Sequence, residues 1–301
     1  MVVTDLRKPP RRFRDWEIAF FRFAHWCTTR VWPGRRLYLR RMRRGAVELV
    51  EVDVPVPGLP AALDGLRLVQ LSDLHAGDVF DEETLLPAVA LARACRPHLL
   101  LVTGDFVTHA AGDVGLLGHA LGRIEPTLGG FAVFGNHDYR GRREGLIANW
   151  LRRQGIRVLR NENVVLSDPA WGQARLAVAG LEDIEESKGA HLEPTVAGLG
   201  PPAGDAGQHV RILLAHNPDT VDRLPPGLFH LVLSGHSHGG QIVLPLVGTL
   251  GRPWMPRRVR GDFDLAGGGR LHVNRGLGVL VLPFRVGARP EVTLLTLRPA
   301  P

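Results

Sequence analysis

The chain has 301 residues, 45% of them hydrophobic and 22% charged, so it can bury a full core as one large domain or two small ones. Its formal net charge of +7 is concentrated at one end: residues 1–45 carry 13 Lys/Arg against 3 Asp/Glu, and residues 46–301 carry 24 against 27. A slightly acidic body excludes a broad nucleic-acid-binding surface, and two cysteines, Cys27 and Cys95, exclude a disulfide framework.

Phe13, Trp16, Phe20, Phe23, Cys27 and Val31 recur at helical spacing, which predicts a helix over residues 11–32, ended by Pro33-Gly34. Arginines border this aromatic face and continue from Arg35 to Arg44, the composition of a helix lying on an anionic membrane surface. The alternative is that the aromatic face packs on the body of the same protein. No uncharged apolar run approaches the ~20 residues that span a bilayer. Arg22 interrupts the most apolar part of the segment, so no signal peptide is expected either. The expected division is a basic arm, 1–45, and a main domain, 46–301, with residues 11–45 touching the inner face of the membrane from the cytoplasm.

Glu48–Val56 alternates as a strand, and Pro57-Gly58-Leu59-Pro60 breaks the chain after it. Beyond the break, strands are expected at 66–71, 98–102, 130–134 and 156–159, with helices at 82–95, 115–124 and 145–154 between them. Such alternation predicts an α/β domain with helices on the sheet faces. After Asn161 strand-like runs dominate, at 164–166, 176–180, 210–215, 230–233, 241–244, 270–273 and 292–297, which predicts a second sheet packed on the first. Residues 245–264 read as a long, basic, irregular loop.

Five strands end in metal-ligand residue types: Asp73 and His75; Asp105; Asn136-His137-Asp138; His216-Asn217; and His236 with His238 inside Gly235-His236-Ser237-His238-Gly239-Gly240. In open α/β sheets the functional crevice lies at the carboxyl ends of the strands. One Asp at such a place is commonly a helix cap, and one buried His a satisfied core residue. Five together point to a metal site. Asp73, His75, Asp105, Asn136, His216, His236 and His238 make seven donors, more than one catalytic ion uses while keeping a position open. Two adjacent divalent ions, bridged by a carboxylate such as Asp105, suit an in-line displacement at phosphorus. Mixed nitrogen and oxygen ligands suit Mn, Fe or Zn better than Ca or Mg. Arg140, Arg142 and Arg143 follow at once, suited to a phosphate or anionic headgroup, or to a solvated basic loop. Trp254, among Arg252, Arg257, Arg258 and Arg260, can stack on a base, cover an acyl chain or cover the sheet edge.

Taken in order, Asp-x-His, Gly-Asp, Gly-Asn-His-Asp, a lone His and Gly-His-x-His resemble the calcineurin-like metallophosphoesterase superfamily, between Leu66 and Leu297. Leu71-Ser72-Asp73-Leu74-His75, the Gly-His-Ser-His-Gly-Gly-Gln run ending at Gln241, and Val273-Asn274-Arg275-Gly276-Leu277-Gly278 resemble its membrane-associated bacterial branch. That branch includes UDP-2,3-diacylglucosamine pyrophosphatases of lipid A synthesis and other phosphodiesterases. Its members often carry a transmembrane helix or twin-arginine signal, where this chain has only the interrupted, arginine-rich segment.

The resemblance implies an α/β fold, a four-layer sandwich of two mixed β-sheets flanked by helices. It implies one ion on Asp73, His75, Asp105 and His238, and a second on Asp105, Asn136, His216 and His236. It also gives His137 a non-ligand place beside the scissile phosphate. A histidine there suits hydrogen bonding to a phosphoryl oxygen or protonation of the leaving oxygen; orienting Asp73 or Asp105 is the alternative. The function so implied is a dinuclear metal-dependent phosphohydrolase acting on a phosphodiester or pyrophosphate, its substrate membrane-associated or lipid-linked. A soluble phosphomonoesterase or cyclic nucleotide phosphodiesterase could use the same centre. A non-catalytic scaffold would show missing ligands, and none is missing.

Overall fold

Period-two alternation decides which residues meet. In the computed structural model, which describes residues 5–7, 39–42, 46–77, 80–108, 111–139, 142, 144–200, 209–250, 255–280 and 282–301, Leu68, Leu99, Leu101, Phe131 and Val133 enter one core. Their strand neighbours Val69, Leu100, Val102, Ala132 and Phe134 enter another, on the opposite sheet face.

The first sheet contains β1 (Glu48–Val56), β2 (Arg67–Leu71), β3 (Leu99–Val102), β4 (Gly130–Ala132), β5 (Ile156–Val158) and β14 (Glu291–Pro299). Its order is β1-β14-β2-β3-β4-β5. Strands β2 to β5 run parallel, and β14 is antiparallel to β2 but parallel to β1. The second sheet contains β6 (Glu162–Leu166), β7 (Arg175–Gly180), β8 (His209–Leu214), β9 (Leu231–Ser234), β12 (Gly261–Asp264) and β13 (Arg270–Val273). Its order is β12-β13-β9-β8-β7-β6, parallel in the middle with antiparallel edges. A small hairpin pairs β10 (Val243–Leu244) with β11 (Gly248–Thr249).

The two sheets meet across an apolar layer to which Leu68, Leu101 and Val133 come from the first and Val178, Ile212, Leu214 and Leu233 from the second. On the outer face of the first sheet lie α1 (Glu82–Ala94) and α2 (Glu144–Arg153), through Leu85, Ala88, Ala92, Ile147 and Leu151. Asp81 starts α1 by accepting the Thr84 N–H at 3.0 Å. The second sheet's outer face has a thinner cover: Leu6, the short α3 (Leu192–Thr195), the 3-10 turn Pro218–Arg223 and Phe229. The architecture is the expected one, two mixed sheets face to face with helices outside.

Two expectations need correction. Residues 115–124 form two 3-10 segments, Ala111–Leu117 and Leu121–Ile124, in place of an α-helix. Each glycine in a helix interior costs about 1 kcal/mol, and this stretch has Gly115, Gly118 and Gly122. Gly118 takes φ +53°, with the Glu82 side chain packed where a Cβ would stand. The stretch 245–264 is not irregular throughout, since it contains β11 and β12. As an edge strand, β12 needs only Phe263 turned inward between exposed Asp262 and Asp264. The helix expected over 11–32 lies outside the described residues. On either side of it, Leu6 and Met42 are buried in the body. The Leu6 N–H bonds the Ala190 carbonyl at 2.7 Å, and Arg223 donates to the carbonyls of Leu6 and Arg7.

Polar side chains tie the sheets together toward the carboxyl ends of their parallel strands. The Gln70 amide donates to Thr103 Oγ1 and to the Ser234 carbonyl, each at 3.0 Å. His272 on β13 stands between Asp262, at 3.0 Å, and Glu291 on β14, at 3.2 Å. Glu291 also pairs with Arg275, which reaches Glu48 at 3.0 Å. Burial opposes a charged His272, but the two carboxylates outweigh it and push its pKa up to about 9. Burial also opposes a charged Glu291, yet His272 and Arg275 pull it down to about 2.

The pair therefore has a pH window. The raised His272 contributes fully below its ordinary 6.5, and that contribution is lost as pH rises through about 9. The depressed Glu291 contributes fully above 4.5, and that contribution is lost as pH falls through about 2. His272→Gln is expected to cost about 3 kcal/mol of unfolding free energy inside the window. The deficit should shrink on both sides of it. Denaturant unfolding of both proteins across pH measures this, and a deficit independent of pH would exclude the ionic tie.

Candidate metal centre

Each candidate site residue, the seven donors and His137, sits just past the carboxyl end of a parallel strand. Asp73 and His75 follow β2, Asp105 follows β3, and Asn136 and His137 follow β4, all from the first sheet. His216 follows β8, and His236 and His238 follow β9, from the second. All are buried except His236, which is partly exposed. The backbone is strained where they stand. Asp73, His75, Asp105, His236 and His238 have φ of 50°, 49°, 56°, 69° and 51°. Such values cost a non-glycine residue on the order of 1 kcal/mol or more and cluster at functional sites. The turned peptides are held by hydrogen bonds from the Asp73 N–H to the Gly104 carbonyl, 2.9 Å, and from the His75 N–H to the Asp105 carbonyl, 3.0 Å. Gly104, at φ +92°, lies so close to Gly135 that a Cβ would strike its backbone.

The side chains gather in two groups. Asp73, His75, Asp105 and His238 bring ligand atoms within 4.8 Å of one another. His75 Nε2 is 3.0 Å from His238 Nε2 and 3.4 Å from Asp105 Oδ2. In the other group, Asn136 Oδ1 lies 3.2 Å from His216 Nε2 and 3.0 Å from His236 Nδ1, and these two nitrogens are 3.2 Å apart. His216 Nε2 is 3.3 Å from Asp105 Oδ2, so one carboxylate oxygen faces both groups.

The pattern fits bound cations. Imidazole nitrogens that face each other at 3.0 and 3.2 Å set lone pair against lone pair unless one carries a proton or a metal lies between them. Oxygen and nitrogen donors without sulfur suit Mn, Fe or Zn. Outer partners aim the rings. His216 Nδ1–H donates to the Thr103 carbonyl at 2.6 Å, which turns Nε2 inward. His236 Nε2 lies 3.8 Å from Glu185, whose other oxygen accepts from the Asn217 amide at 3.0 Å. Burial, with His75 and Arg285 nearby, depresses the His238 pKa well below its ordinary value and favours the neutral, ligating form. Burial pushes Asp105 up, but His216, His137 and His75 outweigh it and hold the carboxyl well down. Burial also opposes charge on His216, yet Asp105, Asp73 and Asp183 raise it well above normal, so a metal there competes with a proton.

Asp138 lies under the candidate ligands. Its Oδ2 accepts the N–H of Asp105 and of Gly135, each at 2.9 Å, and its Oδ1 accepts that of Phe106 at 2.8 Å. The His137 backbone N–H donates to Asp105 Oδ1 at 2.9 Å, while its ring Nδ1–H donates to the Thr108 carbonyl at 2.9 Å. Arg142 is exposed, its N–H on the Tyr139 carbonyl at 3.2 Å. Arg140, Arg143 and Trp254 lie outside the described residues. Sequence reasoning missed Glu185, in the turn that follows β7. It also missed Arg285, which donates to the carbonyls of His238 and Arg275 and has no spacing signal at all.

Comparison with known proteins agrees with this geometry. Residues 66–240 match the family model of the calcineurin-like phosphoesterases. The chain is 29% identical over 267 residues to the uncharacterized metallophosphoesterase YkuE of Bacillus subtilis, across 87% of this chain and 89% of that protein. It is 31% identical over 234 residues to the phosphodiesterase YaeI of Escherichia coli, across 77% and 82%. It is 27% identical over 304 residues to the UDP-2,3-diacylglucosamine pyrophosphatase LpxG of Chlamydia muridarum, across 80% and 87%. With the family match covering more than half of its length, and with acid and histidine donors converging where its strands end, this chain belongs to the calcineurin-like phosphoesterases and is a metal-dependent hydrolase of phosphoester bonds.

Proposed function

We propose that the centre holds two divalent ions, Mn, Fe or Zn, and hydrolyses a phosphodiester or pyrophosphate in a membrane-associated or lipid-linked substrate such as UDP-2,3-diacylglucosamine. One ion would sit on Asp73, His75, Asp105 and His238, the other on Asp105, Asn136, His216 and His236. The observation that carries this reading is Asp105 Oδ2, 3.4 Å from His75 Nε2 and 3.3 Å from His216 Nε2. The chemistry such ions supply when bound is polarisation of the phosphoryl group and activation of water for in-line attack.

The chain's own residues do the rest. Asp105 and Asp73 bring negative charge that offsets the cations. Thr103 holds the His216 ring, and Glu185 stands at the outer nitrogen of His236, so the inner nitrogens are already aimed before substrate arrives. His137 has Nδ1 committed to Thr108, so any proton it gives a leaving oxygen comes from Nε2. The basic segment 11–45 supports work at the inner membrane face, and the similarity to LpxG supports a lipid-linked substrate. No helix among the described residues is long and apolar enough to cross a membrane.

Metal analysis of the purified protein should give two equivalents. A panel of UDP-2,3-diacylglucosamine, bis-p-nitrophenyl phosphate, a cyclic nucleotide and p-nitrophenyl phosphate should show the lipid-linked pyrophosphate or the diester preferred over the monoester. A preference for the monoester or the cyclic nucleotide would instead favour a soluble enzyme using the same centre.

Asp105→Asn should lower kcat by about 10³-fold and reduce metal content, because the shared carboxylate is lost. Full turnover in a folded Asp105→Asn protein would sink the dinuclear assignment. His137→Ala should lower kcat by ~10²–10⁴ with metal content near wild type. Loss of one metal equivalent would make His137 a ligand.

A further inference from the structure

Seven large hydrophobic side chains are exposed among the described residues, and four of them, Leu246, Val247, Leu250 and Val286, belong to one surface feature. Leu246 and Val247 form the tip of the β10–β11 hairpin, where Val243 pairs with Thr249 and Leu244 with Gly248. Val286 joins them because Ile242 bridges to it and the Val243 N–H donates to its carbonyl at 2.8 Å. Leu246 is fully exposed and has φ 65°. A leucine in the left-handed region costs about 1–2 kcal/mol. Among the described residues nothing offsets that cost, since the fully exposed side chain is packed against none of them. Glycine or asparagine would make the same turn more cheaply.

The hairpin grows directly out of the metal centre. His238 is followed by Gly239, Gly240 and Gln241, and Thr249 of β11 packs against Gly240 so closely that a Cβ there would collide with it. The Gln241 amide donates to the carbonyls of Leu280, at 2.8 Å, and Leu282, at 2.9 Å, which fastens a second apolar loop, with half-buried Leu282 and Phe284, beside the first.

One flank of the patch is arginine-rich. Residues 241–261 and 276–290 contain no Asp or Glu; among their described arginines, Arg257 and Arg258 pair with Asp222, at 3.7 and 2.9 Å, and Arg285 donates to the carbonyls of His238 and Arg275. Arg257, Arg260 and Arg289 are exposed, and Arg260 donates to the Gly287 carbonyl at 2.7 Å, next to Val286. An exposed apolar tip flanked by exposed arginines, Arg260 among them, is complementary to an anionic lipid surface: acyl chains accept the tip and headgroups pair with the guanidinium groups. A second copy of this chain fits badly, because a two-fold contact through this patch would set arginines against arginines.

We propose that the β10–β11 hairpin is a lipid-inserting wedge that seats the metal centre on an anionic bilayer, with Leu246 and Val247 as the inserted residues. This builds on the reading of the substrate as membrane-associated, and it assigns the contact to residues other than the basic arm.

The test uses the full chain and vesicles of phosphatidylglycerol with phosphatidylcholine, against phosphatidylcholine alone. Leu246→Cys, in a Cys27→Ser, Cys95→Ser background and carrying a polarity-sensitive dye, should shift its emission to the blue on anionic vesicles only. Leu246→Asp should weaken partition into anionic vesicles by about 10- to 100-fold, as expected for losing one buried leucine. Leu246→Phe should retain it. Leu246→Asp should still cleave bis-p-nitrophenyl phosphate at the wild-type rate, which shows that the variant folds. A dye that does not shift, or partition unchanged by Leu246→Asp, overturns the wedge even if the arm holds the protein on the vesicle. Light scattering that shows Leu246→Asp converting a dimer to a monomer, without change in vesicle partition, overturns it in favour of a self-interface. The substrate reading fails separately: a wild type that ignores lipid-linked substrates can still give the dye shift.

Discussion

Backbone N–H groups from two strand ends converge on the carboxylate of Asp138, and the geometry of the centre depends on that knot. Asp105 and Phe106 reach it from the turn after β3, and Gly135 reaches it from the turn after β4. A buried carboxylate is tolerable only when donors surround it. Meeting that demand draws the two turns onto a single point, which fixes Asp105 relative to Asn136 and His137. A second knot spans the sheets, where Asp73 accepts the His236 N–H at 3.1 Å. Buried acid groups beside the candidate metal centre are thus also what shapes the backbone around it.

The strain at the candidate ligand positions has the same origin. Five candidate ligand residues in left-handed conformation do not arise from strand or turn preference. They persist because the surrounding peptides over-determine them, through the Gly104 and Asp105 carbonyls and the packing of Gly135 and Gly235 against Asp105, Ser72 and Asp73. Part of the stability of the two cores is spent on holding seven donors where free side chains would repel or find water.

Much of this was legible in the sequence, for a local reason. Each of the five blocks is a short apolar run followed at once by its donor, so the strand and its functional end are read together. Glu82–Ala94 and Glu48–Val56 are likewise written in their own periodicity. What escaped depends on partners distant along the chain. Arg285 matters only because a long loop brings it to the His238 carbonyl, and Glu185 only because the turn after β7 swings it to His236. Residues 115–124 carried a helical pattern of apolar positions, and three glycines overrode it. The edge strand β12 showed only one inward residue, too little alternation to register.

The order β1-β14-β2 has a kinetic consequence. Every residue of the first strand pairs with the last, from Glu48 with Glu291 to Val56 with Pro299. A chain emerging amino end first therefore carries β1 without its partner, and β2 with one edge open, until Glu291–Pro299 has been made. The His272 tie between the sheets waits for the same strand, because Glu291 is its partner. Closure of the first sheet is the longest-range event in the fold, and folding rates fall as such contacts come to dominate. Until that seam closes, two strand edges are open to wrong partners, so the nascent protein is most exposed to misassembly just before its last strand arrives.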